Sequence, residues 1–320
     1  MAEQIKVAFI DTVHPYLEEK LTEKGMTCLD MTQQTFDELQ NLLKDVQGIV
    51  IRSRFRLDEK ILKHAEKLKF IARSGAGMEN IDVAYCEKRG IDLFNAPEGN
   101  KNAVAEHALG MLLSLFNNLN KADQEIRKGI WEREANRGIE LEGKTVGIIG
   151  FGNNGSQFAK ILRGFEVKIL AYDKYKSGFG NDFVQECNID DIFSEADIVS
   201  FHIPQNEESL YMCNEEFINR FKHPFYLINL SRGKIVDTSA LTRAIQSGKI
   251  KGACLDVLEY EKSSFEDFFS QKENLPVPFQ YLLNSDKVIL SPHVGGWTHE
   301  SYFKLSKVLA DKIIEKYGYK

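Results

Sequence analysis

Three stretches of this 320-residue chain carry side chains that can hold an acid and move a proton. Arg232 lies in INLSRGKIVD, Asp256, Glu259 and Glu261 in CLDVLEYEK, and His293 in ILSPHVGGW, each at the end of a short apolar run. Hydride transfer to a ketone needs a cation for the substrate carboxylate, a proton donor at the carbonyl, and a group that keeps the donor charged until it is used. Arg232 can grip a carboxylate with a fixed fork of donors. A protonated His293 can give the proton, and a carboxylate beside it would favour the charged imidazole and orient it, a role for which Glu261 is the candidate. Singly, His293 also fits an ordinary loop histidine and Arg232 a surface turn residue. The combination carries the reading, because residues that follow strands of one parallel sheet land on one edge.

A hydride carrier is written into LEGKTVGIIGFGNNGSQFAKILRGFEVKILAYD, from Leu141 to Asp173. A β-branched run, Thr145 to Ile149, leads into Gly150, Gly152 and Gly155 in G-x-G-x-x-G spacing. A helical pattern then places Phe158, Ala159, Ile161 and Leu162 on one face, and a second apolar run, Val167 to Tyr172, ends on Asp173. Strand, tight turn, helix, strand and acid are the context a dinucleotide fingerprint requires. Gly150 makes the turn, Gly152 admits a pyrophosphate to the backbone, and Gly155 lets the helix pack on the strand. Asp173 can accept a ribose diol and would repel a 2′-phosphate, which favours NAD over NADP, with Lys174 and Lys176 as the residues that could compensate.

These residues need parallel sheets to position them. From Lys6–Ile10 to about Asn95, strands at Gly48–Ile51, Phe70–Arg73 and Ile91–Asn95 alternate with helices such as Leu57 to Lys67. After the fingerprint, runs at Ile198–His202, Tyr226–Leu230, Gly252–Val257 and Val288–Leu290 resume the alternation, with a helix at Ser239 to Ser247. In the first half, Arg52-Ser53-Arg54 and Arg73-Ser74-Gly75-Ala76-Gly77 follow consecutive strands. The two glycines around Ala76 could turn backbone amides outward together as an anion-binding nest, or form a plain glycine-rich turn. The adjacent arginines add to the expectation of a small anionic substrate. Between the halves, Asn102 to Leu119 reads as a long apolar helix joining two domains, its extra apolar surface covered by a second subunit, or else as a core helix of one domain. Residues from about Gly295 onward form one helical segment, expected to pack back on an earlier domain.

The chain's length favours two domains. Its 41 Lys and Arg against 47 Asp and Glu give a net charge of −6, which argues against general nucleic-acid affinity. Cys28, Cys86, Cys187, Cys213 and Cys254 form no C-x-x-C pair; they read as reduced thiols of a cytoplasmic protein without a metal site. The N-terminus enters a strand directly and no run approaches the length of a membrane span, so no membrane partner is expected. Lys262 to Ser285, with Phe265, Phe268, Phe269, Phe279 and Tyr281 beside Pro276 and Pro278, is expected to be an ordered insertion near the mouth of a cleft or at a subunit contact.

Across nearly its whole length the chain resembles the NAD-dependent D-2-hydroxyacid dehydrogenases, through RSGAGMENID, FNAPEGNKNAVAEH, GIWERE, LEGKTVGIIGFGNNG, FHIP, INLSRGKIVD, CLDVLEYE and SPHVGG. The resemblance implies a Rossmann cofactor domain, residues 102–294, inserted into a flavodoxin-like substrate domain, residues 1–101 and 295–320, with a cleft that closes between them and a homodimer formed through the cofactor domains. It implies Arg232 on the substrate carboxylate and carbonyl, His293 as acid/base paired with Glu261, and Asp256 at the nicotinamide end of the cofactor. Further cofactor contacts fall on Gly150, Gly152, Asn153, Asn154, Gly155, Asp173, His202, Pro204 and Gly295, and substrate contacts on Arg52, Ser53, Ser74, Gly75, Ala76 and Gly77.

The chain departs from the family pattern at Phe55, Asn154, Gln205-Asn206 and Lys262, none of them a catalytic position. Formate dehydrogenases pair the histidine with glutamine where this chain offers Glu261, and L-lactate or malate dehydrogenases carry their glycine fingerprint near the start of the chain. 3-Phosphoglycerate/3-phosphohydroxypyruvate is the substrate expected first, with hydroxypyruvate or glyoxylate as the alternative. A reading of another class is an NAD(H)-sensing binding protein like the C-terminal-binding co-repressors, whose disordered tails this chain is expected to lack.

Overall fold

The computed structural model describes residues 4–261 and 275–318. In chain order the elements begin with β1 (Lys6–Phe9), α1 (Tyr16–Glu23), β2 (Thr27–Asp30), α2 (Phe36–Leu42), β3 (Gly48–Ile51), α3 (Glu59–Leu62), β4 (Phe70–Arg73), α4 (Val83–Arg89) and β5 (Asp92–Phe94). They continue through α5 (Pro97–Phe116), α6 (Leu119–Arg127), β6 (Thr145–Ile149), α7 (Asn153–Leu162), β7 (Lys168–Tyr172), β8 (Gln185–Glu186), α8 (Ile189–Glu195) and β9 (Ile198–Phe201). The chain closes with α9 (Glu215–Asn219), β10 (Phe225–Asn229), α10 (Thr238–Ser247), β11 (Ile250–Leu255), α11 (Val277–Leu283), β12 (Val288–Leu290) and α12 (His299–Tyr317).

Two compact units share these elements. Among described residues, unit 1 holds 4–101 and 297–318, and unit 2 holds 102–261 and 275–296. The division falls two residues beyond the expected boundary at 294, because Gly295 is tied by its amide to Asp256 of unit 2. Unit 1 is an all-parallel sheet in the order β2-β1-β3-β4-β5, the flavodoxin-like order. Alternate residues of its strands feed two cores: Ala8, Ile49 and Ile71 on one face, and Val7, Val50 and Phe70 on the other, where Leu305, Leu309 and Ile313 of α12 complete the packing.

Unit 2 is a seven-stranded parallel sheet, β8-β7-β6-β9-β10-β11-β12, the Rossmann order extended by one strand. One face packs on α5 and α7, through Ala108, Leu112, Phe158 and Leu162; the other packs on α8, α9 and α10, through Ile192, Phe217 and Leu241. Register sets the functional edge. Ile149 pairs with Phe201, Phe201 with Asn229, Asn229 with Leu255 and Leu255 with Leu290, so the loops after all five strands leave the sheet at one level. The same holds in unit 1, where Phe9 pairs with Val50 and Ile51 with Arg73.

Three elements differ from expectation. The helix expected over Leu57 to Lys67 is helical only over Glu59–Leu62, because Leu57 forms a β-bridge to Ile81 and the buried Ala65 lies between two turns. α5 begins five residues before Asn102, with Pro97 at its first position, and stops at Phe116, after which Asn118 takes a left-handed conformation. Its apolar face belongs to the core of unit 2. The exposed apolar surface lies instead on Leu119 and Ile126 of α6 and on Ile130, Ile139 and Trp131, the last 76% exposed. α6 has no buried residue.

Of the aromatic insertion, residues 262–274 lie outside the described residues. Its remainder forms α11, whose Phe279 and Leu282 are buried in the core of unit 2, with Tyr260 edge-on to Phe279 and the Thr242 hydroxyl donating to the Pro278 carbonyl.

Candidate active site

The glycine loop is shaped by backbone crowding. Gly150 has φ +94°, and a Cβ there would lie 2.6 Å from the His202 carbonyl oxygen. A Cβ on Gly155 would drive into the Gly150 carbonyl, so α7 can reach the strand only as glycine. At Gly152 no protein atom beyond its chain neighbours lies within 4 Å of the position a Cβ would take. Nothing in the chain itself demands glycine there, whereas a pyrophosphate against the backbone does. α7 starts at the next residue with no side-chain cap on its first amides, the arrangement that receives an anion. The loop therefore fits a dinucleotide.

Asp173 stitches this loop to the end of β7. Its Oδ2 accepts from Phe151 N at 2.7 Å, and its Oδ1 accepts from Tyr175 N and Lys176 N at 2.9 and 3.0 Å. Lys174 turns away to an exposed ion pair with Glu208 at 2.7 Å, where the Tyr175 hydroxyl also donates. His202, after β9, sits beneath the loop with Nε2 2.9 Å from Ser200 Oγ and its ring 5.4 Å from Phe158. Burial pushes its imidazole down to about 4, so it is neutral near pH 7. The departure at Gln205-Asn206 builds a closed turn: Asn206 Oδ1 accepts from Glu208 N and Ser209 N, while Ser209 Oγ donates to the Pro204 carbonyl. The departure at Asn154 leaves its Oδ1 buried without a hydrogen-bond partner.

Further along the same edge, Asn229 is fully buried and folds the turn that presents Arg232. Its Nδ2 donates to the Arg232 carbonyl, and its Oδ1 accepts from the Ser231 amide and hydroxyl. Gly233 is obligatory because a Cβ would run into the Leu258 backbone, which brings the CLDVLEYEK segment against the arginine turn. There the two glutamates part. Glu259 accepts from Thr238 N at the start of α10 (3.0 Å) and from the Tyr211 hydroxyl (3.1 Å). Glu261 faces His293, whose Nδ1 lies 3.2 Å from both of its carboxylate oxygens, each side chain 22% exposed.

His293 is held in an unusual backbone conformation, φ +56°. A non-glycine residue there costs on the order of 1–3 kcal/mol and persists only where its surroundings over-determine it. Asp256 does so: its carbonyl accepts from His293 N (2.8 Å), its Oδ1 from Val294 N (2.9 Å) and its Oδ2 from Gly295 N (2.8 Å). Asp256 is 2% exposed, and its carboxylate takes a third hydrogen bond from the Ser291 hydroxyl at 2.6 Å. Asp256 is thus a clamp on the histidine loop, a role its place in the sequence did not disclose.

In unit 1, the Arg52-Ser53-Arg54 loop wraps a carboxylate of its own. Asp11, 6% exposed, accepts from Arg52 N, Ser53 N and Arg54 N through one oxygen, at 3.1, 2.7 and 2.9 Å. The Arg52 guanidinium lies 4.6 Å over the Trp297 ring. Asp11 escaped the reading of the sequence, although it ends an apolar run as Asp173 does. The Ser74–Gly77 loop lacks nest geometry: none of its residues has positive φ, Ser74 N donates to Ile51 and Gly75 N to Arg73. Ser74 Oγ is buried without a partner. Among the described residues, no group of three or more His, Cys, Asp or Glu could hold a metal, and no helix is long and apolar enough to cross a membrane.

Comparison with known proteins accords with this geometry. Residues 109–295 match the family model described as "D-isomer specific 2-hydroxyacid dehydrogenase, NAD binding domain". A hydroxypyruvate reductase of Thermotoga maritima is 35% identical over 282 residues, 88% of either chain. A D-3-phosphoglycerate dehydrogenase of Archaeoglobus fulgidus is 32% identical over 305 residues, 94% of this chain and 55% of that one. The chain thus spans about half the length of that relative, as it does of further D-3-phosphoglycerate dehydrogenases. The crystal structure of a D-lactate dehydrogenase from Aquifex aeolicus, complexed with NAD and lactic acid, superposes with a TM-score of 0.79 at 29% identity, covering 97% of this chain and 95% of that one. With its model matched over more than half the residues and these relatives along nearly the whole length, the chain belongs to the D-isomer-specific 2-hydroxyacid dehydrogenase family.

Proposed function

We propose that the protein transfers a hydride between NAD(H) and a small D-2-hydroxy acid/2-oxo acid pair. The observation that carries this is the His293–Glu261 pair on the sheet edge that also bears the glycine loop and Arg232. A dinucleotide held by the Gly150–Gly155 loop would supply the hydride, with its electron pair, for the carbonyl carbon. His293, with Nδ1 committed to Glu261, gives its proton from Nε2 to the carbonyl oxygen, and Arg232 holds the carboxylate. The hydroxy acid leaves a neutral histidine that reloads from solvent; oxidation runs the same steps backward. Asp173 supports NAD over NADP, and the turn of Lys174 toward Glu208 removes one residue that could welcome a 2′-phosphate.

The substrate we propose is 3-phosphoglycerate/3-phosphohydroxypyruvate, supported by Arg52 and Arg54 beside the Ser74–Gly77 loop and by the relative from Archaeoglobus fulgidus. Hydroxypyruvate or glyoxylate is the second reading, supported by the Thermotoga maritima relative. The exposed apolar residues from Leu119 to Ile139 support a homodimer, which sedimentation of the full chain tests against a monomer.

NADH oxidation with 3-phosphohydroxypyruvate, hydroxypyruvate, glyoxylate and pyruvate decides both questions. Binding of NADH without consumption on any of them would make the protein a sensor. His293→Ala should cost roughly 10²–10⁴-fold in turnover. Glu261→Gln should lower turnover as well, since His293 Nδ1 loses the carboxylate that orients the ring; undiminished turnover would remove Glu261 from the mechanism.

A further inference from the structure

We infer that His107 is a positioning residue for His293, acting through Ser291 and Asp256 from the opposite side of the histidine loop. His107 belongs to α5 and lies 184 residues from Ser291 in sequence, yet its Nε2 is 2.9 Å from Ser291 Oγ and 3.6 Å from Asp256 Oδ1. Its ring also closes on the loop, with Cδ2 3.4 Å from where a Cβ of Gly295 would stand.

The donor order comes from counting protons. Asp256 receives only, and Ser291 has one hydroxyl proton, which the 2.6 Å separation assigns to Asp256 Oδ1. Ser291 Oγ is then the acceptor toward His107, which carries its proton on Nε2. The hydroxyl's longer contact, 3.7 Å to Met111 Sδ, does not compete for that proton. The chain His107 to Ser291 to Asp256 thus ends on the carboxylate that takes the amides of Val294 and Gly295, while the Asp256 carbonyl takes that of His293. Without the histidine, the serine can turn its hydroxyl elsewhere and the buried carboxylate loses one of the bonds that fix its plane.

The inference rests on the reading of His293 as the proton-transferring residue, so its test has two readouts on the full-length chain. His107→Leu keeps the bulk and removes the donor; His107→Gln offers a donor at the reach of Nε2; Ser291→Ala removes the middle of the chain. Amide hydrogen exchange of residues 293–296 without cofactor should quicken about tenfold in His107→Leu and in Ser291→Ala, the order of one lost hydrogen bond. The double variant should be no faster than Ser291→Ala, and His107→Gln should stay near wild type. In reduction of the preferred 2-oxo acid, His107→Leu should lower kcat about tenfold with KM for NADH within about twofold, and Gln should restore most of the loss. Equal behaviour of Leu and Gln, additive effects with Ser291→Ala, or a loosened loop with undiminished kcat would each overturn the inference. If wild type reduces no 2-oxo acid, the proposed function fails, and the exchange pattern alone then decides the role of His107.

Discussion

The two units each place a glycine-bearing loop at the end of a parallel strand, and they use glycine differently. In unit 2 the backbone demands it at two positions, Gly150, which is left-handed, and Gly155, which leaves no room for a Cβ, while Gly152 opens onto clear space. In unit 1 neither Gly75 nor Gly77 is left-handed, and what a Cβ on Gly75 would meet is the guanidinium end of Arg73. One loop is a backbone mould, in which the peptide itself is the binding surface. The other is bordered by arginine side chains that a substitution can push aside.

The sharpest break of this contrast is Gly155→Ala. Its methyl must displace either α7 or the strand-end turn, at about 1–3 kcal/mol or more. Thermal unfolding should register the loss and NADH titration should weaken with it. An unchanged melting temperature would mean that α7 shifts freely and that the mould is soft. Gly152→Val comes next. With no neighbour within 4 Å, its cost to stability should stay within about 1 kcal/mol, the preference for glycine over valine at a helix N-cap. NADH affinity should nonetheless fall by more than tenfold, and retained affinity would show that the pyrophosphate does not approach this residue. Gly75→Ala should have the smallest effect, within about 0.5 kcal/mol in thermal unfolding, because a flexible side chain can yield. A loss as large as that of Gly155→Ala would mean that Arg73 is held as rigidly as backbone.

Much of this architecture was legible in the residues. β3, β4 and β6 coincide with apolar runs read from the sequence, since a strand buried on both faces has little choice of composition. The edge strands β2 and β8 left no such signal: TCLD and QE are half-exposed or polar, and only their neighbours reveal them. The same division runs through the candidate site. Gly150, Arg232, Glu261 and His293 announce themselves by type and motif. Asp11 and His107 do not, because their roles lie in hydrogen bonds to Ser53 and Ser291, 42 and 184 positions away. Of the two readings open at Ser74–Gly77, the plain turn fits better than the nest for a local reason: the sheet takes the amide of Ser74, and no residue there turns left-handed.

The split of unit 1 around unit 2 has a consequence for how the molecule is made. Leu305, Leu309 and Ile313 of α12 cover Val7, Leu17 and Phe70, so strands made before unit 2 wait for a helix made after it. Residues 102–296 are synthesised in between, a delay of roughly ten to forty seconds at ordinary elongation rates. Throughout that interval α1 is in place on that face of the β1-β3-β4 sheet, but the strip that α12 covers is open. That apolar strip is what a nascent-chain chaperone would meet, while unit 2 can close as a continuous stretch of chain.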